Sequence, residues 1–107
     1  MTKYERASQL WPILALAATN RQVLTYNFVS KLTGIPRPAI GQFLEPIQAY
    51  CMAKKIPPLT SIVVSEQTGI PGSGFIAAED LPMAHIEAFQ FDWLDWGCPS
   101  VDKFEHV

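Results

Sequence analysis

Apolar and aromatic residues recur at helical spacing near the start of the chain. The residues that share this face are Tyr4, Ala7, Trp11, Leu14 and Ala18. The preceding Thr2-Lys3-Tyr4-Glu5 has the form of a capping box, in which a hydroxyl residue is followed three positions later by Glu. The pattern predicts a first helix that begins near Lys3 and runs toward Thr19. Pro12 lies inside it and is predicted to kink the helix or to divide it in two.

A second, shorter helix is predicted over residues 26–32. Thr25 is placed to cap its start, and Gly34 supplies its stop. A proline-rich turn follows, and Pro38 suits the first position of a third helix because its missing N–H is unpaired there in any case. The two helices and their turn have the order of a helix-turn-helix.

The second half of the chain changes from helical to strand-like patterning. Pro46 is predicted to interrupt the third helix, and a fourth helical segment continues to Lys55. Residues 59–65 are rich in β-branched side chains and predict a strand. The glycine-rich residues 68–74 predict a tight connection, and residues 75–77 predict a short return strand. Together these elements predict a β-hairpin wing.

A last helix is predicted to begin near Leu81, with Asp80 as its cap. Residues 96–107 have no regular pattern. The residues assigned to the inner face of the last helix are Ile86, Phe89 and Trp93. The order of elements is that of a winged helix-turn-helix, so the predicted fold is mostly α with a small β-hairpin wing (α+β). We expect residues 1–107 to form a single winged-helix domain with an acidic, aromatic C-terminal helix and tail.

Composition favours a folded domain over a disordered chain. Apolar residues make up 49% of the sequence, which is enough for a sizeable core in 107 residues. The longest apolar run, residues 11–18, is too short to cross a bilayer. The run does not have the flanks of a signal peptide, so we expect a cytoplasmic protein with no membrane association. Cys51 and Cys98 are then expected to be reduced thiols.

Charge is distributed unevenly along the chain. Basic residues outnumber acidic ones by five to two between residues 20 and 76, and acidic residues outnumber basic ones by seven to one between residues 77 and 107. A mildly basic body permits a nucleic-acid face. The acidic end is predicted to weaken DNA binding if it lies within about a Debye length, roughly 8–10 Å, of the third helix or the wing.

The stretch from Val23 to Phe75 resembles the DNA-binding domain of alkylguanine-DNA alkyltransferases and the alkyltransferase-like proteins. It covers about half of the chain, and the order of its elements carries the resemblance. The matching residues are Thr25-Tyr26, Leu32, Gly34, Pro36, Ala39-Ile40-Gly41, Ile56-Pro57, Val63-Val64-Ser65 and the glycine-rich loop that ends at Phe75. The resemblance implies a winged-helix fold and a DNA-facing surface.

The chain departs from this family where the family's chemistry resides. The reactive Pro-Cys-His-Arg is missing, and the corresponding residues 57–62 read Pro-Pro-Leu-Thr-Ser-Ile. Alkyl transfer needs a thiolate activated by a nearby histidine, and no histidine occurs between Met1 and Ala84. We therefore expect no enzymatic activity and no catalytic residues. We expect neither a cofactor nor a metal, since Cys98 and His106 have no second close pair of ligands.

Six residues are candidates for DNA contact. Tyr26 matches a phosphate-side tyrosine of the family, or else packs against the first helix. Arg37 opens the third helix, next to Pro38, which stands where the family inserts an arginine into the duplex. Gln42 could read a base edge or simply be exposed. The remaining candidates are Gly72 and Ser73, in the loop of the predicted wing.

Two functions of different classes follow from these features. The first is a non-enzymatic DNA-binding protein, either a regulator or a structure-sensing protein, with duplex DNA as its partner. The second is a protein–protein interaction module on a winged-helix scaffold, in which the acidic C-terminal end contacts a protein partner. A phage or mobile-element accessory protein would fit either one.

Overall fold

The computed structural model of the chain describes all 107 residues. Six α-helices and two very short strands surround one core. No helix is both long enough and apolar enough to cross a bilayer. The elements are α1 (Lys3–Thr19), β1 (Leu24–Thr25), α2 (Tyr26–Thr33), α3 (Ile40–Lys54), β2 (Val63–Val64), α4 (Leu81–Gln90), α5 (Trp93–Trp96) and α6 (Val101–Glu105).

Local signals in the sequence place the helix ends correctly. The capping box at Thr2 is formed, with Thr2 Oγ1 accepting from the Glu5 N–H at 3.2 Å and Glu5 Oε1 accepting from the Thr2 N–H at 2.9 Å. Thr25 caps α2 by accepting from the Phe28 N–H at 3.1 Å. Gly34 ends α2 with a left-handed φ of 76°. These predictions are confirmed because each depends on residues within one turn of the helix end.

The predicted interruption of the third helix at Pro46 is wrong, and Pro12 does not divide α1 in two. α1 continues through Pro12, and α3 continues through Pro46, which is buried. A helical proline leaves the carbonyl four residues earlier without its N–H partner. For Pro12 that carbonyl belongs to Ser8, and the Cys98 thiol donates to it at 3.8 Å. The Cys98 thiol, from near the C-terminal end of the chain, therefore gives the Ser8 carbonyl a weak donor in place of the missing N–H.

The predicted hairpin wing is wrong. β1 pairs with β2 in parallel, with Leu24 opposite Val63 and Thr25 opposite Val64. Residues 59–62 form a 3₁₀ turn, and residues 75–77 form no strand. Packing overrides the β propensity of this segment, because all four residues of the 3₁₀ turn are buried. The structure therefore shows a mostly helical domain with a two-stranded parallel sheet, and it does not establish a winged helix.

The C-terminal segment is anchored to the core by aromatic side chains. Trp11 on α1 lies edge-on to Tyr50 and to Trp93, with ring centroids 5.6 Å apart in both cases. Phe104 of α6 lies 5.6 Å from Tyr50. The Trp96 indole N–H donates to the Tyr50 hydroxyl at 3.0 Å. Residues 101–105 are thus helical where no regular structure was predicted.

The inner face of α4 differs from the predicted one. The helix starts at Leu81 with Asp80 as its cap, as expected, but it buries Ala84 and Ala88, while Ile86 is 47% exposed. Phe89 is half-buried, and Trp93 belongs to α5. His85 Nε2 lies 2.7 Å from the Ser61 carbonyl oxygen. The small alanines allow the buried 3₁₀ turn to lie close to α4, which turns the larger Ile86 outward.

Candidate functional site

A cleft of about 470 Å³ opens where the start of α2, the first half of α3 and the loop after β2 meet. Five of the six predicted contact residues line it, namely Tyr26, Arg37, Pro38, Gly72 and Ser73. The sixth, Gln42, is exposed on α3 and lies outside the lining. Residues that are up to 47 positions apart in the sequence therefore share one concave surface.

Arg37 does not extend freely into solvent. Its Nε donates to Glu66 Oε2 at 3.3 Å, and one terminal nitrogen donates to Glu66 Oε1 at 3.3 Å. The guanidinium carbon also lies 5.6 Å from the centroid of the Tyr26 ring. The hydrogen bonds from Arg37 hold the pKa of Glu66 below its ordinary value of 4.5. At neutral pH the Arg37 guanidinium at the edge of the cleft is therefore paired with an ionised Glu66 carboxylate.

Tyr26 links the core to the loop. The ring packs against the hydrophobic core, and its hydroxyl accepts from the Gly72 N–H at 3.1 Å. A Cβ on residue 72 would lie 3.0 Å from that hydroxyl oxygen, so this approach favours glycine. The position of Tyr26 fits both interpretations, because the side chain packs against the core and also lines the cleft.

Gln48 fixes the loop that forms one wall of the cleft. Its side chain is 92% buried, with 8% of its surface exposed. The amide nitrogen donates to the Gly74 carbonyl at 3.1 Å, and the amide oxygen accepts from the N–H groups of Ile76 at 2.9 Å and Ala77 at 3.2 Å. One side chain of α3 thereby satisfies the backbone polar groups that a β-hairpin would otherwise have paired.

Residues 57–62, which the resemblance aligns with a reactive motif, reach this cleft through Thr60. Thr60 lines it and is only 4% exposed. The Oγ1 atom of Thr60 has no hydrogen-bond partner, and the same is true of Oγ in the fully buried Ser61. Both oxygens are buried, so Thr60 offers the cleft no hydroxyl group, and neither residue supplies the thiolate that alkyl transfer needs.

Neither cysteine is placed to supply that thiolate. Neither Cys51 nor Cys98 lines the cleft. Burial raises the pKa of Cys51 to about 12, and burial also raises the pKa of Cys98. Both thiols are accordingly protonated near neutral pH, when a sulfur nucleophile would need to be ionised.

One surface cluster has the atom types of a metal site. Ligand atoms of Asp102, Glu105 and His106 lie within 4.8 Å of one another on and after α6, and all three residues are exposed. His106 Nε2 lies 3.2 Å from Asp102 Oδ1, one turn away on the chain, so this local contact accounts for part of the grouping. No buried polar side chain hydrogen-bonds to these three residues to hold them in place.

Sequence reasoning missed three residues that shape the cleft, namely Gln48, Thr60 and Glu66. Gln48 and Glu66 make their key contacts with residues 26–29 positions away along the chain. Local patterns cannot show such pairings. The one feature of the sequence that pointed to Thr60 was its alignment, through the family resemblance, with part of a reactive motif.

Comparison with known protein families, curated proteins and solved structures gives no significant match for this chain.

Proposed function

We propose that this chain binds duplex DNA through the face that carries the cleft and leaves the DNA chemically unchanged. The observation that carries the proposal is the convergence of Tyr26, Arg37, Pro38, Gly72 and Ser73 on one cleft. Tyr26 and Pro38 were named from the resemblance, and Arg37 was named from its place at the start of the third helix. Gly72 and Ser73 were named from the loop of the predicted wing. Their convergence supports a shared surface.

Within that class, the geometry favours structure sensing over sequence reading. A sequence-reading helix presents several long polar side chains to base edges in the major groove. The turn and first residues of α3 offer Arg37 and Gln42, but the residues between them are Pro38, Ala39, the buried Ile40 and Gly41. Two hydrogen-bonding side chains discriminate few base pairs. A concave surface with polar walls suits a nucleotide that leaves the helical stack.

The cleft has the size and lining expected of such a site. Its volume of about 470 Å³ falls within the range of pockets that hold small molecules. Tyr26 contributes an aromatic ring, Arg37 contributes a cation, and the exposed Ser73 contributes a hydroxyl group. An unpaired or mismatched nucleotide leaves the stack at the lowest energetic cost. We therefore infer that the preferred ligand is duplex DNA with one extrahelical nucleotide.

Fluorescence anisotropy with two labelled duplexes tests this function. One duplex is fully matched, and the other is identical except for one bulged nucleotide. We expect weak, salt-sensitive binding to both, with a shallow slope of about two to four released counterions and with tighter binding to the bulged duplex. Equal affinity for the two duplexes would contradict structure sensing. Absence of binding at low salt would contradict DNA binding altogether.

The variant Arg37→Ala tests whether the cleft face is the surface that binds the duplex. We expect this variant to bind the bulged duplex several-fold more weakly, by roughly 1 kcal/mol or more. Lys103→Ala removes the same charge from α6, outside the cleft lining, and serves as the matched control. Equal losses in the two variants would show that overall charge, rather than the cleft face, determines binding.

A further inference from the structure

A second groove lies on a different part of the surface. It has a volume of about 580 Å³ and is bounded by the end of α3, the Ile56-Pro57-Pro58 segment, residues 77–80 and the start of α4. Its lining shares no residue with the cleft described above. A ligand in this groove would leave the proposed DNA-binding face free.

The apolar part of the groove is built from adaptable side chains. Met52 and Met83 both line it and are 47% and 49% exposed, respectively. Ile56, Pro57 and Pro58 are half-buried between them. Methionine side chains are flexible and polarisable, so they adjust to apolar groups of different shapes. This part of the groove is suited to an apolar anchor side chain from a partner.

The polar part of the groove is strongly acidic. Glu79, Asp80 and Glu87 all line it and are exposed, and none of them takes part in an ion pair. Lys55 is the one basic residue in the lining. Three carboxylates against one ammonium give the groove a net negative charge, which attracts cationic side chains and repels nucleic acid.

We propose that this groove binds a short segment of a protein partner that combines an apolar anchor side chain with Lys or Arg on either side. The anchor lies between Met52 and Met83, and the basic side chains pair with Glu79 and Glu87. Charge complementarity selects the basic partner, and the methionine-lined floor selects a segment that also carries an apolar residue. The proposal locates a protein interface on the acidic C-terminal part of the chain and does not depend on DNA binding.

Anisotropy measurements with three capped, labelled peptides of about twelve residues test the required chemistry. The first peptide combines Leu and Arg, the second has every Arg changed to Glu, and the third has every Leu changed to Ser. The full-length chain is expected to bind the first peptide and to bind neither of the others measurably. Binding of all three, of only the Leu/Glu peptide, or of none would overturn the proposal. Equal binding of the Leu/Arg and Ser/Arg peptides would overturn the apolar anchor.

Paired variants with equal charge changes locate the site. The groove pair is Glu79→Gln with Glu87→Gln, and the control pair is Asp95→Asn with Glu105→Gln, whose residues lie outside the groove. Asp80 is left unchanged because its carboxylate caps α4. We expect the groove pair to weaken binding of the Leu/Arg peptide about five-fold or more, and the control pair to weaken it less than about two-fold. Equal losses would show that general electrostatic attraction explains the binding.

A third variant, Met52→Ser with Met83→Ser, tests the floor while leaving every charge in place. Both side chains are about half exposed, so this change is expected to leave the fold intact. Weaker binding of the Leu/Arg peptide supports the groove. Unchanged peptide affinity in a variant that melts like the wild type would overturn it.

Discussion

At the scale of single residues, the pairing of Arg37 with Glu66 would control the charge that duplex DNA meets in the proposed complex. A phosphate oxygen and the Glu66 carboxylate compete for the same guanidinium group, so Glu66 opposes the contact that Arg37 would make. The lowered pKa keeps Glu66 ionised at neutral pH. Protonation would release Arg37 only as the pH falls below the ordinary value of 4.5, and the stabilisation from the pair would be lost in that same range.

We predict that Glu66→Gln strengthens duplex binding near neutral pH, whereas Arg37→Ala weakens it. The amide removes the competing negative charge and is nearly the same size as the carboxylate. The gain should shrink as salt is added, because it is electrostatic. The double variant Arg37→Ala with Glu66→Gln is the control, since the benefit of the amide requires Arg37. A gain of the same size in the double variant would show that Glu66 acts through general repulsion.

At the scale of elements, the loop at residues 72–77 depends on α3 rather than on strand pairing. Gln48 provides the three hydrogen bonds to Gly74, Ile76 and Ala77 that hold this loop. A buried polar group that loses its partner costs about 1–3 kcal/mol. Gln48 thus makes three of the four side-chain hydrogen bonds that hold the loop, and the Tyr26 hydroxyl makes the fourth, at Gly72.

We predict that Gln48→Leu loosens this wall of the cleft and lowers the free energy of unfolding by about 1–3 kcal/mol. Hydrogen exchange should accelerate at the amides of Ile76 and Ala77 while the amides of α1 stay protected. Gln42→Leu is the control, because Gln42 is exposed on the same helix, and it should change stability by less than about 0.5 kcal/mol. Unchanged exchange at Ile76 and Ala77 in the Gln48 variant would show that the hydrogen bonds of the Gln48 side chain do not order the loop.

The element scale also shows which parts of the fold the sequence could predict. Helix ends at Lys3, Gly34 and Leu81 follow from residues within one turn, and all three were placed correctly. The prediction of a hairpin wing was wrong because residues 59–62 form a buried 3₁₀ turn and because β2 pairs with the distant β1. Five residues of the cleft were named from the family resemblance and the predicted helix-turn-helix and wing, but their partners could not be named, since those contacts join distant parts of the chain.

At the scale of the whole molecule, α3 separates the cleft from the acidic tail. The cleft lies at the start of this helix, while Asp102 and His106 lie beside Ala53 and Lys54 at its end. Ile40 and Lys54 are about 21 Å apart at a rise of 1.5 Å per residue. That separation is between two and three times the Debye length of about 8 Å at physiological salt. The tail therefore packs against the far end of α3, and its expected weakening of DNA binding stays a prediction.

The positions of the two thiols predict which one reacts. Cys98 is exposed and Cys51 is buried, with a pKa of about 12. Under native conditions iodoacetamide should add to Cys98 alone, and in denaturant it should add to both residues, as read from intact mass. Incubation with a duplex that carries an alkylated guanine should leave the mass of the protein unchanged. An alkyl adduct on either cysteine would contradict the proposal that the chain performs no chemistry on DNA.

Chemical-shift mapping with a bulged duplex tests the central claim most directly, because it reports which face DNA contacts. We predict that the amide signals that move on titration belong to the cleft, at Tyr26, Arg37, Gly41 and residues 72–75. Signals from Met83, Glu87 and Lys103, which lie outside the cleft lining, should stay in place. Shifts concentrated at these outer residues, or no shifts at low salt, would contradict the assignment of the cleft face as the DNA-binding surface.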